Sequence, residues 1–201
     1  YLGVVSEWLS ALPEGREDWL AGMLAAQSQR QQARASEWAK RLAHVATVPQ
    51  LISGGTVFDP RTGEAQAASV LIVGDRIAAV GDEASMSLPA EVLRIDASGQ
   101  FIMPGLWDNH VHLGGVDGVL HLAAGVTSVR DMANDQEALP QRVARFDAGT
   151  EIGPRVLMAG FMDGRGPFAG PTKVLVDTPE EAEKWVNWYA DHGYRQIKVY
   201  S

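Results

Sequence analysis

The sequence predicts an α/β protein: a parallel sheet built from strand–helix units, preceded by a small all-β unit and a helical N-terminal stretch. Three observations carry this expectation. From Gly105 onward, short β-branched runs alternate with amphipathic helical patterns, the rhythm of βα units feeding a parallel sheet. Residues 50–103 alternate short β-rich runs with turn residues and contain no helical period. Residues 1–47 are rich in Ala, Gln, Glu, Arg and Trp, with no Pro and only Gly22 as a helix-weakening residue between Arg16 and Val48.

Each zone resolves into elements. In the first, a short helix is expected near 4–12 and one or two longer ones from about 16 to 46. Trp19 and Met23 are four apart, as are Trp38 and Leu42, with Val45 three further on. Such a Trp/Leu face suits packing on the body or on a partner. Pro49 then changes the texture. LISGGTVF, SVLIVGDRIAAVG, EVLRID and QFIMPG read as strands, with a tight hairpin at Gly74-Asp75 and a turn from Asp59-Pro60 to Thr62-Gly63. In the third zone LWDNHVHL is a strand, VDGVLHLAA a helix stopped at Gly125, and VTSVRD the next strand. A helix follows near 139–148, with Pro140 tolerated in its first turn. RVLMAG (155–160) is the third strand, and FMDGRGPFAGPT (161–172) a long loop. TPEEAEKWVNWYADHG is the clearest helix, with Thr178 as cap, Pro179 at N1, Glu181 closing a capping box and Gly193 as the stop. YRQIKVYS is the fourth strand.

Composition narrows the function classes. The 201 residues suffice for one large or two small domains, and the hydrophobic share of 46% is that of a globular protein. The formal charge of −8, with no Lys/Arg run, argues against nucleic acid or an anionic membrane as partner. No apolar run is long enough to span a membrane. There are no cysteines, so disulfides, thiolate metal sites and a cysteine nucleophile are excluded. The compartment stays open between cytoplasm and periplasm. YLGVVSEWLSALPEG opens without Met and lacks a signal peptide's basic region, so a trimmed chain or a piece of a longer one is expected.

MPGLWDNHVHL (103–113) holds two of the five histidines, His110 and His112. On a strand, His-x-His sends both imidazoles to one face, where they suit Zn²⁺ or another borderline divalent ion. Asp108 shares their parity. Two strand-end histidines with ordinary hydrogen bonds fit the same spacing. His44, His121 and His192 fall in helical patterns and suit surface or packing roles. Lys198, between Ile197 and Val199, must pair, lose its charge, reach a polar cavity or lie at a solvent-facing edge. Arg130, Asp131 and Asp163 lie near strand ends, where they could touch substrate or form salt bridges.

Together these stretches resemble a known family. FIMPGLWDNHVHL is similar to the first barrel strand of the amidohydrolase superfamily, with its PG-(L/I)-x-D-x-H-x-H pattern. The run from Leu51 to Gly81 resembles the β-sandwich segment that precedes the barrel in these enzymes. GVTSVRDM, GPRVLMAG and the strand with IKVYS resemble strands two to four of the imidazolonepropionase- and Xaa-Pro-dipeptidase-like branch. The resemblance covers residues 50–201 and leaves out the first 47.

After a helical extension read over 1–48 from its composition and spacing, it implies a composite β-sandwich segment over 49–104 and the first four βα units of a (β/α)8 TIM-type barrel over 105–201. It implies one or two divalent metal ions, Zn²⁺ foremost, with His110, His112 and Lys198 as ligands and Lys198 carboxylated where two ions are bridged. The activity it implies is hydrolysis of a C–N bond in a small-molecule or short peptide-like substrate (amide, peptide or cyclic amide), by water that the metal makes nucleophilic. In the family two further histidines lie on strands five and six, and the general-base aspartate on strand eight. All are expected beyond Ser201, so no catalytic base is assigned here. The rest of the protein, as another segment or chain, is the expected partner, and the open sheet edges leave room for a homo-oligomer. The other class of reading is a non-catalytic fragment or assembly module of a larger hydrolase-like protein.

Overall fold

The computed structural model describes residues 4–5, 10–170 and 172–200, in two compact units: residues 44–105, and residues 106–201 together with 1–43.

The N-terminal stretch departs from expectation at its start. Where a helix was predicted near 4–12, β1 (Val4–Val5) pairs antiparallel with β2 (Ser10–Ala11), and residues 6–9 lie outside the described residues. A helix that short is marginal, and Val-Val favours extended backbone. One helix, α1 (Trp19–Leu42), replaces the one or two expected to 46. It ends where Ala43 turns extended, so Val45 is exposed rather than on the helical stripe. Ala39 is its buried residue, while Arg16 and Arg34 stack on Trp19 and Trp38.

Residues 44–105 form one mixed five-stranded sheet. β3 (Gln50–Asp59) is central; β4 (Glu64–Val73) lies antiparallel on one side, with β5 (Arg76–Gly81) beyond it. On its other side β3 pairs in parallel first with β6 (Leu93–Asp96), then with β7 (Phe101–Ile102). The switch occurs at a bulge between Ile52 and Gly55. Gly54 sits at φ +81°, and a Cβ on Gly55 would come within 2.8 Å of Ile102, so the Gly-Gly pair is what lets the strand change partners. β4 begins at Glu64, five residues before the predicted strand, because the 59–63 turn is tight: Asp59 accepts from the Arg61 N–H, and Gly63 adopts φ +76°.

The other unit carries the parallel sheet. Its strands β8 (Leu106–Val111), β9 (Val126–Asp131), β10 (Arg155–Gly164) and β12 (Gln196–Val199) are neighbours in chain order. Helices α2 (Asp117–Ala123), α3 (Ala138–Asp147) and α4 (Pro179–Asp191) connect them. β10 runs four residues into the predicted loop because Phe161 and Met162 are buried, and a short β11 (Leu175–Val176) pairs with its end. Thr178 caps α4 through the Glu181 N–H, but the Glu181 carboxylate accepts from the Asp177 N–H rather than closing the box on Thr178.

Two cores lie on the helical side of this sheet. Val111, Leu113, Val129 and Leu139 form one, packed by Val143 and Phe146 of α3. Met162, Val174, Tyr189 and Tyr194 form the other, with Ile197 against it. Close approach demands glycine at one point of the first: a Cβ on Gly118 would lie 2.6 Å from the Ile152 carbonyl oxygen and 3.0 Å from the Phe146 ring. Because a backbone atom blocks it, Gly118→Ala is expected to destabilise the protein by about 2–3 kcal/mol, read as a lower denaturant midpoint at unchanged slope.

Candidate metal centre

The alternation of side chains along each strand decides which residues face away from the helices. Val111 and Leu113 enter the α3 core, so His110 and His112 point to the opposite face. Ile197 packs against the α4 cluster, so Lys198 does likewise, opposite Phe161 in register. The three residues therefore meet. The His110 and His112 rings stand edge-to-face at 5.3 Å, and the Lys198 Nζ lies 3.4 Å from the His110 Nε2.

The alternation is not perfect. Asp108 pairs with Val129 and Val111 with Asp131, so β8 carries an extra residue between them. Asp108 turns onto its own backbone and accepts the His110 N–H at 3.0 Å. It thus braces the bulge from within β8.

His112 is oriented from the loop that follows β9. Its Nδ1 lies 2.8 Å from the Ala133 carbonyl oxygen. A carbonyl only accepts, so Nδ1 carries the proton and the neutral ring keeps its lone pair on Nε2. A ring held this way is suited to ligating a metal through Nε2. The donor set thus fits a divalent ion: two imidazoles, with a lysine that becomes an anionic oxygen donor if carboxylated. Among the described residues no three His, Cys, Asp or Glu side chains gather closely enough to hold a metal by themselves.

The surroundings of Lys198 are aromatic. Its Nζ sits 4.9 Å from the centre of the Tyr200 ring, which meets Phe161 edge-to-face at 5.3 Å. Sequence reasoning passed over both aromatics; the period-two relation of Tyr200 to Lys198 was the available signal.

The other sequence candidates separate. Asp131 does not reach substrate: it is 0% exposed and accepts from the N–H groups of Leu113 and Ala133 and from the Asn134 amide. Burial pushes its carboxyl above the usual carboxylate range, against those donors, which favour the charged form. Asp163 closes its loop by accepting from Gly164 and Gly170. Arg130 is half-buried, and its Nε has no hydrogen-bond partner among the described residues. His121 bonds the Asp117 carbonyl within α2, His192 stacks on Trp188 at 3.8 Å, and His44 is exposed in the unit of residues 44–105.

Behind the histidine loop lies a buried ion cluster that the sequence did not announce. Glu151 receives the Nε–H groups of Arg142 and Arg145, each at 2.9 Å, and the Arg142 Nη2 donates to the Gly115 carbonyl. Removing Arg142 leaves a buried carboxylate half-paired and frees the loop. Arg142→Met is expected to lower unfolding free energy by about 3 kcal/mol in chemical denaturation.

Comparisons with known proteins bear on the family of the chain. No family model matches the chain. Over 63 residues the chain is 48% identical to an adenine deaminase of Agrobacterium fabrum, a stretch covering 31% of this chain and 10% of that protein. Over another 63-residue alignment it is 49% identical to a dihydroorotase of Pelotomaculum thermopropionicum, covering 31% and 14%. Among solved structures, a Bifidobacterium longum protein to which prolidase activity has been ascribed superposes with a TM-score of 0.67 at 27% identity, over 76% of this chain and 40% of that one. The chain thus spans well under two thirds of the relatives it matches. A parallel sheet joined by helices, the PG-x-x-D-x-H-x-H strand and these relatives together place the chain in the amidohydrolase superfamily.

Proposed function

We propose that this chain contributes part of the active site of a metal-dependent hydrolase acting on C–N bonds, with His110, His112 and Lys198 as metal ligands. The observation that carries the reading is their convergence on one face of the parallel sheet, with Lys198 brought 3.4 Å from His110 across 88 residues of sequence. A divalent ion, Zn²⁺ foremost, supplies Lewis acidity there, polarising a carbonyl or amidine carbon and lowering the pKa of water. The chain's own residues do the placing. Ala133 presents the His112 Nε2, the Asp108 carboxylate braces His110, and the Tyr200 ring lies 4.9 Å from the Lys198 Nζ. A carbamate on Lys198 would form by attack of the neutral amine on CO2 with loss of one proton, giving an anionic oxygen donor. The general base lies outside this segment in this reading.

We further propose that residues 105–201 are the first four βα units of a (β/α)8 barrel, that 49–104 are a composite sandwich segment, and that 1–48 are an extension. Apolar surface left open supports this. Trp107 is 50% exposed on the outermost strand β8, and Val199 64% on β12, as expected of strands awaiting neighbours. In the other unit Ile77 is 67% and Phe101 58% exposed, consistent with a sheet face awaiting a second layer. Among the described residues no helix is long and apolar enough to cross a membrane. The rest of the protein is the partner this reading requires.

The relatives' names, adenine deaminase, dihydroorotase and prolidase, guide the choice of C–N substrates to test. Elemental analysis of the full-length protein, with hydrolysis of a panel of Xaa-Pro dipeptides, N-acyl amino acids and cyclic amides, tests the proposal. Stoichiometric metal with turnover of one substrate class supports it. A folded, metal-free protein that gains no activity on added Zn²⁺ refutes it and favours the assembly-module reading.

A further inference from the structure

We infer that Asp131 and Asn134 are positioning residues that fix the tautomer and direction of His112, a role resting on the reading of His112 as a ligand. Neither hydrogen-bonds the imidazole itself, whose partner is the Ala133 carbonyl. They hold the two backbone segments between which it is strung. The Asp131 Oδ2 accepts the Leu113 N–H at 2.8 Å and its Oδ1 the Ala133 N–H at 3.3 Å. The Asn134 Nδ2 donates to the Leu113 carbonyl at 2.9 Å and to the Asp131 Oδ2 at 3.0 Å. Leu113 follows His112 in the chain, and Ala133 supplies the carbonyl that takes the His112 Nδ1–H. The two side chains thus lock the histidine's own backbone to its acceptor in the loop that follows β9.

Several features separate this from ordinary loop bonding. Asp131 is fully buried and Leu113 and Ala133 nearly so, which excludes water as a substitute for these bonds. Asp131 forms no ion pair among the described residues, and its carboxylate serves backbone N–H groups and Asn134 alone. Asn134 is further held by accepting the Asp135 N–H, which fixes its amide orientation. A buried carboxylate without a cationic partner is costly. Here its donors all come from the two segments that set the His112 ring.

The test uses the full-length protein and two variants, Asn134→Ala and Asp131→Asn. Imidazole 15N NMR on metal-free protein at about pH 8, where a free histidine is neutral, reads the His112 tautomer. Wild type is expected to show Nδ1–H alone and the variants a mixture. Zn²⁺ affinity by chelator competition is expected to fall about ten-fold. Variants that lose thermal stability but keep a pure Nδ1–H signature and wild-type Zn²⁺ affinity would overturn the inference. If Asp131→Asn does not fold, Asn134→Ala decides alone. Wild type that binds no Zn²⁺ defeats the ligand assignment; the tautomer measurement then still decides whether the clamp orients His112.

Discussion

Replacing His110 and His112 together by alanine is expected to strip the full-length protein of its divalent metal and to abolish hydrolysis while leaving the fold intact. Both side chains are exposed on the face opposite the α3 core, so the substitution removes no core packing, and stability should change by about 0.5 kcal/mol or less. The chemical loss is far larger. With no cysteines in the chain, the imidazoles are the neutral donors available on this face. Loss of an ion that supplies several kcal/mol of transition-state stabilisation corresponds to about a 10³-fold fall in kcat/KM, or more. Elemental analysis and kinetics on the same preparation check it. A double variant that keeps stoichiometric metal shows that the ligands lie elsewhere.

Lys198→Met is expected to have the next largest effect, separating packing from charge. The methionine keeps an apolar stem beside Tyr200 and between Ile197 and Val199, so folding should survive. What disappears is the amine 3.4 Å from the His110 Nε2, and with it any carbamate. Metal content should drop and kcat/KM fall by about 10²-fold or more, on the same reasoning about lost transition-state stabilisation. Wild-type apoprotein should take up metal better with bicarbonate than without, and the variant should show no such dependence. Bicarbonate-independent uptake by wild type would remove the carbamate from the scheme while leaving the imidazoles in place.

The mechanism of His112 presentation explains why these losses should differ in kind from those of the neighbouring acids. By sequence Asp131 and Asp163 lie near strand ends, where they could touch substrate or form salt bridges. In the structure both are occupied by backbone N–H groups, and Asp131 is fully buried. Each carboxylate is engaged by backbone N–H groups, one behind His112 and one across the loop that β10 enters. Their substitution acts on geometry first and on chemistry through it.

What was legible in the sequence was whatever local rules determine. The Thr178 cap, Pro179 at N1 and the Gly193 stop delimit α4, and the Gly125 stop ends α2, because a cap or a positive φ depends on a few adjacent residues. His-x-His on a strand already assigned both histidines to one face. Local rules misled where a partner far along the chain intervened. Residues 4–5 and 10–11 pair as strands although the surrounding composition is helical, and β10 runs past its predicted end because Phe161 and Met162 find a core. The capping box failed for a local reason: the Glu181 carboxylate found a second N–H within reach.

By itself the sequence determined the alternation of the four main strands and three helices after Gly105, the chemistry of the donors and the absence of thiols, since these are properties of composition and short-range pattern. Only the tertiary structure decided that Lys198 meets His110, that a bulge with Asp108 behind it breaks the period of β8, and that Asp131 is a buried brace. The reason is physical. Side-chain alternation predicts a face, but not which strands lie side by side, and a carboxylate's role depends on which N–H groups enclose it. Those groups come from Leu113, Ala133 and Asn134, brought to one point by the pairing of β8 with β9.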